Sequence, residues 1–160
     1  MNIRLGHGVD VHPLKKNYPF ILGGINIESE VGISGHSDGD ILIHAIVDAL
    51  LGALALGDIG TLFPSNKTWE NCNSKKFLKE TLKKINRKGY HIINIDTTVI
   101  LQSPKINQYI SQIQKSIAAV LNMDVNQISV KATTTDYLGF IGKNKGIAVF
   151  ATALLEKDTI

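Results

Sequence analysis

Asp10 and His12 stand two residues apart in Gly8-Val9-Asp10-Val11-His12, a segment with the alternation and β-branching of a strand. Side chains at i and i+2 of a strand point to the same face. A carboxylate oxygen and an imidazole nitrogen therefore converge there, and both are common zinc ligands. Asp-x-His alone also describes a structural histidine or a surface pair. A second stretch sharpens the choice. Asp40, His44 and Asp48 repeat every four residues in an otherwise apolar segment, so they stack on one helical face. Such groups destabilise an apolar helix unless they find partners. A solvated stripe on an amphipathic helix is the competing reading, but this stripe is narrow and sets a histidine between two carboxylates. A metal-bound histidine usually donates its other ring N–H to a carboxylate or carbonyl, and Asp40 or Asp48 is expected to serve His44 in this way. Asp10, His12 and His44 together make three protein ligands with a fourth position open, the pattern of catalytic zinc. A structural zinc site would draw on cysteines, and Cys72 is the only one.

Two further clusters suit phosphate. His36-Ser37 precedes the apolar helix, whose N-terminus offers free N–H groups and a positive dipole end. His36 there could bond a phosphoryl oxygen, and Ser37 could equally be a simple cap. Thr133-Thr134-Thr135-Asp136 follows a strand pattern, with Lys131 before it and Gly139-Phe140 after. Hydroxyls and a carboxylate at a strand end can hold phosphates and a hard cation such as Mg²⁺, although a threonine run also suits plain strand and turn.

The elements that must position these groups can be read in order. Residues 2–12 form a first strand, and Gly23-Gly24 turns a hairpin between Phe20-Ile21-Leu22 and Ile25-Asn26-Ile27. Ser37 and Asp40 resemble a capping box for a helix over about 39–55 that Gly57 stops. A second helix starts at Ser74 and ends before Gly89, with Phe77, Leu78, Leu82 and Ile85 on one face. A strand follows over 91–102. Ser103-Pro104 then serves as N-cap and first turn of a third helix, striped by Ile106, Ile110, Ile113, Ile117 and Leu121. Strands over 127–133 and 146–155 complete one domain spanning residues 1–160. This order implies an α/β fold with one mixed sheet and helices packed on one face.

The bulk numbers fit that picture. Hydrophobic residues make up 44% and charged residues 19%, as in a folded globular protein. The charge of +3, from 17 basic against 14 acidic residues, is too small to argue for nucleic acid. A single cysteine excludes an intrachain disulfide framework and suits a reducing compartment. Arg4, His7 and Asp10 interrupt the start before a signal peptide's apolar core could form. The segment 41–56 contains His44 and Asp48 and is short of the roughly 20 residues of a membrane span. No membrane association is expected. The expected compartment is the bacterial cytoplasm, or the plastid stroma for a mature plastid-targeted form.

Six blocks, in order, cover essentially the whole chain: Gly6-His7-Gly8-Val9-Asp10-Val11-His12; Gly35-His36-Ser37-Asp38-Gly39-Asp40; Leu51 to Gly60; Leu62-Phe63-Pro64; Pro104-Lys105; and Lys131-Ala132-Thr133-Thr134-Thr135. Together they resemble the 2-C-methyl-D-erythritol 2,4-cyclodiphosphate synthase family of the non-mevalonate isoprenoid pathway. That resemblance implies a mixed four-stranded sheet and a homotrimer with active sites between subunits. It implies a lyase-type reaction on 4-diphosphocytidyl-2-C-methyl-D-erythritol 2-phosphate, whose 2-phosphate attacks the β-phosphorus and expels CMP.

The resemblance also assigns roles. Asp10, His12 and His44 bind Zn²⁺, and Asp136 holds Mg²⁺ or Mn²⁺ between the α- and β-phosphates. His36 and Thr134 stabilise the transition state. Asp58, Ile59 and Gly60 contact the erythritol part, with Phe63, Pro64 and Ser65 nearby. Leu101, Ser103, Pro104, Lys105, Ile106 and Asn107, with Ala132, Thr133 and Thr134, form the cytidine and phosphate pocket. Ser37, Thr135, Phe140 and Lys143 complete the substrate-binding set. Asp136 stands where the family has glutamate, Lys143 where it has arginine, and Ser65-Asn66-Lys67 where it commonly has Asp-x-Asp. Phe150 takes a position that is acidic in some relatives. The same Asp-His-His set with a bound hydroxide would suit phosphoester hydrolysis, and a nucleotide-binding scaffold would keep the pocket without turnover. The products separate these readings.

Overall fold

Strand β1 runs from Ile3 to Lys16, and its even-numbered residues face inward: Gly6 and Gly8 are buried while Leu5 and Val9 are exposed. In the computed structural model every residue is described except Met1, His36, Ser65, Thr68, Glu70, Asn71 and Ile160. β1 pairs antiparallel with the last strand, β7 (Gly146–Lys157), from Ile3↔Glu156 to Pro13↔Gly146. β7 pairs antiparallel with β5 (Tyr90–Ile100), and β5 pairs parallel with β6 (Ile128–Thr133). A short β4 (Val31–Ile33) closes the other edge on Leu14–Lys16. Among the described residues the sheet is mixed and has five strands, in the order β4-β1-β7-β5-β6, rather than the expected four. The added strand has only three residues, too few to show an alternating pattern. β2 (Ile21–Leu22) and β3 (Ile25–Asn26) form the expected hairpin, with Gly23 and Gly24 both left-handed at φ 59° and 74°.

Helix α1 (Ile41–Ala53) is apolar almost all round and is buried except at half-buried Asp48 and exposed Gly52, as that pattern requires. One side packs on β1 and β7, and the other is covered by α3 (Lys75–Arg87) through Phe77, Leu78, Thr81 and Ile85. A one-turn α2 (Ile59–Leu62) lies between them in sequence. α4 (Ile110–Leu121) buries Ile113, Ile117, Ala118 and Leu121 and packs on β6 and α3. It does not begin at Ser103-Pro104. That peptide bond is cis, and a 3₁₀ turn over Asn107–Tyr109 precedes the helix. A one-turn α5 (Gly139–Gly142) leads into β7. The outward face of the central strands stays open and apolar: Leu5, Val9, Val11 and Phe150 are 67, 44, 50 and 39% exposed. No helix among the described residues is long and apolar enough to cross a membrane.

Asp40, not Ser37, caps α1, its side chain accepting from the Ile43 amide. Gly39 at φ 73° turns the chain so that the following residue takes the cap position. The same carboxylate also accepts from Gly23 N at 2.9 Å and Gly24 N at 2.6 Å, bolting the β2–β3 hairpin to the start of α1. Burial pushes this carboxyl up to about 6 against the three amide bonds, which favour the charged form. Asp40→Ala strips a cap and leaves buried amides unpaired, so it is expected to lower stability by about 2–4 kcal/mol. The check is a urea titration, in which the midpoint falls and the slope holds.

Candidate active site

Asp10 and His12 continue the inward row of Gly6 and Gly8, so β1 aims both side chains at α1. His44, in the first turn of α1, meets them. Asp10 Oδ2 lies 3.4 Å from His12 Nε2 and 3.2 Å from His44 Nδ1. The three donor atoms all lie within 4.8 Å of one another. Two donors held by one tetrahedral cation at about 2.0–2.2 Å stand roughly 3.3 Å apart, so the trio fits a small metal ion. Burial holds His12 below its ordinary value, opposed chiefly by the Asp10 charge. A neutral imidazole is the form that ligates a metal.

The partners of His44 are not the carboxylates read from its helix. Its Nε2 lies 3.0 Å from Ser37 Oγ and 3.1 Å from Ser74 Oγ. Asp40 is taken up by the hairpin and the helix cap. Asp48 accepts from the Ile59 amide at 2.7 Å, tying α1 to α2. Both carboxylates are used to hold backbone at the site's edges, where a free N–H offers a better-placed partner than a ring one helical turn away. Burial pushes the Asp48 carboxyl up.

These groups open on a cavity of about 200 Å³, lined by Asp10, His12, Ser37, His44, Asp48, Ile59, Gly60, Phe63, Trp69 and Phe77. Phe63, Trp69 and Phe77 form one wall, with ring centroids 4.7 to 5.4 Å apart. Trp69 and Phe77 were not among the expected site residues. Phe77 reads as helix core in sequence, and Trp69 carries no local pattern. Asp58 caps α2 beside this cavity, and the Thr61 amide and hydroxyl hold its carboxyl below the usual range.

A second cavity of about 440 Å³ gathers Leu101, Gln102, Pro104, Lys105, Ile106, Asn107, Ala132, Thr133, Thr134, Asp136 and Tyr137. The ends of the parallel pair β5 and β6 put both stretches side by side, with Ile100 opposite Thr133. Gln102 falls inside the expected 101–107 stretch, and Tyr137 is an addition to the expected set. Gln102 Oε1 accepts from the Tyr137 amide at 3.1 Å, across a turn where Asp136 and Tyr137 are left-handed at φ 49° and 64°. Thr134 Oγ1 lies 3.4 Å from Asp136 Oδ1. Thr135 and Phe140 line an adjoining hollow with Thr134 and Asp136. Ser103, Pro64 and Lys143 stand outside these walls, and Lys131 turns away to pair with Asp96. His36 and Ser65 lie outside the described residues. The two cavities share no lining residue.

A family model described as the YgbB family matches residues 3–156. The chain belongs to the YgbB family. Among its relatives, a 2-C-methyl-D-erythritol 2,4-cyclodiphosphate synthase of Haemophilus ducreyi is 50% identical over 99% of both chains. Among solved structures, the CDP complex of IspF from Plasmodium falciparum superimposes with a TM-score of 0.88 at 45% identity, covering 99% of this chain and 98% of that one. The bifunctional IspDF of Campylobacter jejuni gives 0.94 at 43% identity over 98% of this chain, which spans only 42% of that protein. This YgbB-family chain thus has the α/β fold of its relatives, with the Asp-His-His cluster between the inward face of the first strand and the start of α1.

Proposed function

We propose that this chain is a 2-C-methyl-D-erythritol 2,4-cyclodiphosphate synthase: it closes 4-diphosphocytidyl-2-C-methyl-D-erythritol 2-phosphate into the 2,4-cyclodiphosphate and releases CMP. The convergence of Asp10 Oδ2, His12 Nε2 and His44 Nδ1, in a chain with full-length relatives of that name, carries the reading. The bond that forms joins a 2-phosphate oxygen to the β-phosphorus. The bond that breaks joins that phosphorus to the oxygen of the α-phosphate, and the electron pair leaves with CMP. Nucleophile and electrophile belong to one substrate, so proximity comes from folding it in place. Asp10, His12 and His44 would hold zinc, and Asp136 a magnesium or manganese ion. Bound there, the cations supply charge neutralisation and orientation of the phosphates.

The remaining work falls to the chain. The Thr134 hydroxyl beside Asp136 is placed to bond a phosphate oxygen. Lys105, Ile106 and Asn107 with Ala132 and Thr133 wall a slot for the cytidine. Asp58, Ile59 and Gly60 face the erythritol. Ser37 flanks the phosphates at the mouth of α1, and His36 is assigned transition-state stabilisation on the family pattern. The two cavities share no lining residue, which supports a complete site assembled with a neighbouring copy. The open apolar face around Leu5, Val9, Val11 and Phe150 suits a homotrimer of one-domain chains. Activity is tested by ³¹P NMR of the substrate with metals present and then chelated. Coupled signals of a cyclic diphosphate plus CMP, lost with the metals, are expected. An open-chain diphosphate with CMP would mean a hydrolase instead.

A further inference from the structure

Ser74 sits at the start of α3, fully buried, yet its side chain makes no cap bond to that helix. Its Oγ instead lies 3.1 Å from His44 Nε2 and is hydrogen-bonded to Asp38 Oδ1. Asp38 is itself clamped. Its Oδ2 accepts from Ser74 N at 2.9 Å and its Oδ1 from Asp40 N at 3.2 Å. A serine hydroxyl has one hydrogen to give, and a carboxylate has none. The Ser74 hydrogen therefore goes to Asp38, and Ser74 Oγ can offer His44 only a lone pair. His44 Nε2 must then carry the ring hydrogen, which the nearby Ser37 hydroxyl can share as a second acceptor. A neutral imidazole has one N–H, so Nδ1 is left with a lone pair, and Nδ1 is the atom that faces Asp10 Oδ2.

We propose that Asp38 and Ser74 are positioning residues that fix His44 as the Nε2–H tautomer and so present its Nδ1 lone pair to the cation. The inference rests on the metal reading above. The competing tautomer puts the hydrogen on Nδ1, where Asp10 Oδ2 at 3.2 Å would accept it. In that form His44 cannot ligate through Nδ1, the atom that faces Asp10. The relay joins segments 36 residues apart in sequence, so it also ties ligand geometry to correct seating of α3.

The test starts on metal-free, ¹⁵N-labelled wild-type protein at about pH 8, with long-range ¹H–¹⁵N correlation of the His44 ring. Nitrogen shifts of an Nε2–H imidazole are expected, and a hydrogen on Nδ1 in the wild type would overturn the proposal with no variant needed. In Ser74→Ala the signal should move toward the Nδ1–H form, and zinc affinity, read by chelator competition, should fall roughly 10- to 100-fold. Ser74→Thr keeps the hydroxyl and should return affinity to within a few-fold of wild type. Binding of CMP, which lacks the β-phosphate and uses the second cavity, should not move in either variant. Unchanged zinc affinity in Ser74→Ala rejects the positioning role. A wild type that shows the Nε2–H ring but binds no zinc rejects the metal reading instead.

Discussion

His44→Ala is expected to reduce cyclisation by roughly a thousandfold or more while leaving the fold in place. The imidazole is one of three donors, and it is the only one that α1 supplies. Its loss leaves Asp10 and His12 with two open positions, below the three protein ligands of a catalytic zinc site. Lewis-acid stabilisation of a developing phosphoryl charge is worth several kcal/mol, and each 1.36 kcal/mol is a factor of ten. The stability loss should be small, because Ser74 keeps its bond to Asp38 and Asp10 still accepts from the Val11 amide at 2.8 Å. Three measurements separate the causes. Bound zinc by elemental analysis should drop below one per chain, turnover should vanish, and affinity for CMP, which lacks the β-phosphate, should persist. A His44→Ala protein that still cyclises at a rate near wild type would refute the metal assignment.

The part of this site that was legible in sequence is the part set by local geometry. The period of two in β1 fixes that Asp10 and His12 share a face, and the apolar run fixes α1 and the exit of His44 from its first turn. In the second cavity the threonine run with Asp136 was legible as a strand-end phosphate and cation site, but its meeting with Pro104-Lys105 was legible only through the family blocks, since no local pattern brings those two stretches together. The partners of His44 were not legible. Asp40 and Asp48 share its helical face, and spacing alone favours them. Position in space favours Ser37 and Ser74 instead, one from the loop before α1 and one from the start of α3. Such contacts depend on how α3 seats across α1, which no local window contains. The same limit hid β4, whose three residues pair only because the end of β1 extends past the sheet's edge, and the pairing of Lys131 with Asp96 across β5 and β6.

Gly8→Ala should be strongly damaging although it touches no ligand side chain, and it tests why β1 and α1 can meet at all. A Cβ on Gly8 would overlap the Ala45 carbonyl oxygen and come 2.8 Å from Ala49 N. Both obstacles are backbone of α1, so no rotamer change relieves the clash and the helix itself must move. Added bulk in a well-packed core costs about 1–3 kcal/mol and more where repacking is blocked. A loss of about 3 kcal/mol or more is expected, visible as a fall in Tm of roughly 10 °C or as failure to accumulate soluble protein. The damage should extend to function, because His44 rides on the same helix turn as Ala45 and would be drawn away from Asp10 and His12. Gly52→Ala offers the contrast within α1. There the nearest atom to a new Cβ is His7 O at 3.9 Å, and the change should be neutral or stabilising by up to about 1 kcal/mol through helix propensity. If both substitutions behaved alike, close strand–helix approach at Gly8 would not be what seats His44. If only Gly8→Ala loses stability and zinc together, the glycine is there to let α1 come near enough for its histidine to reach the strand.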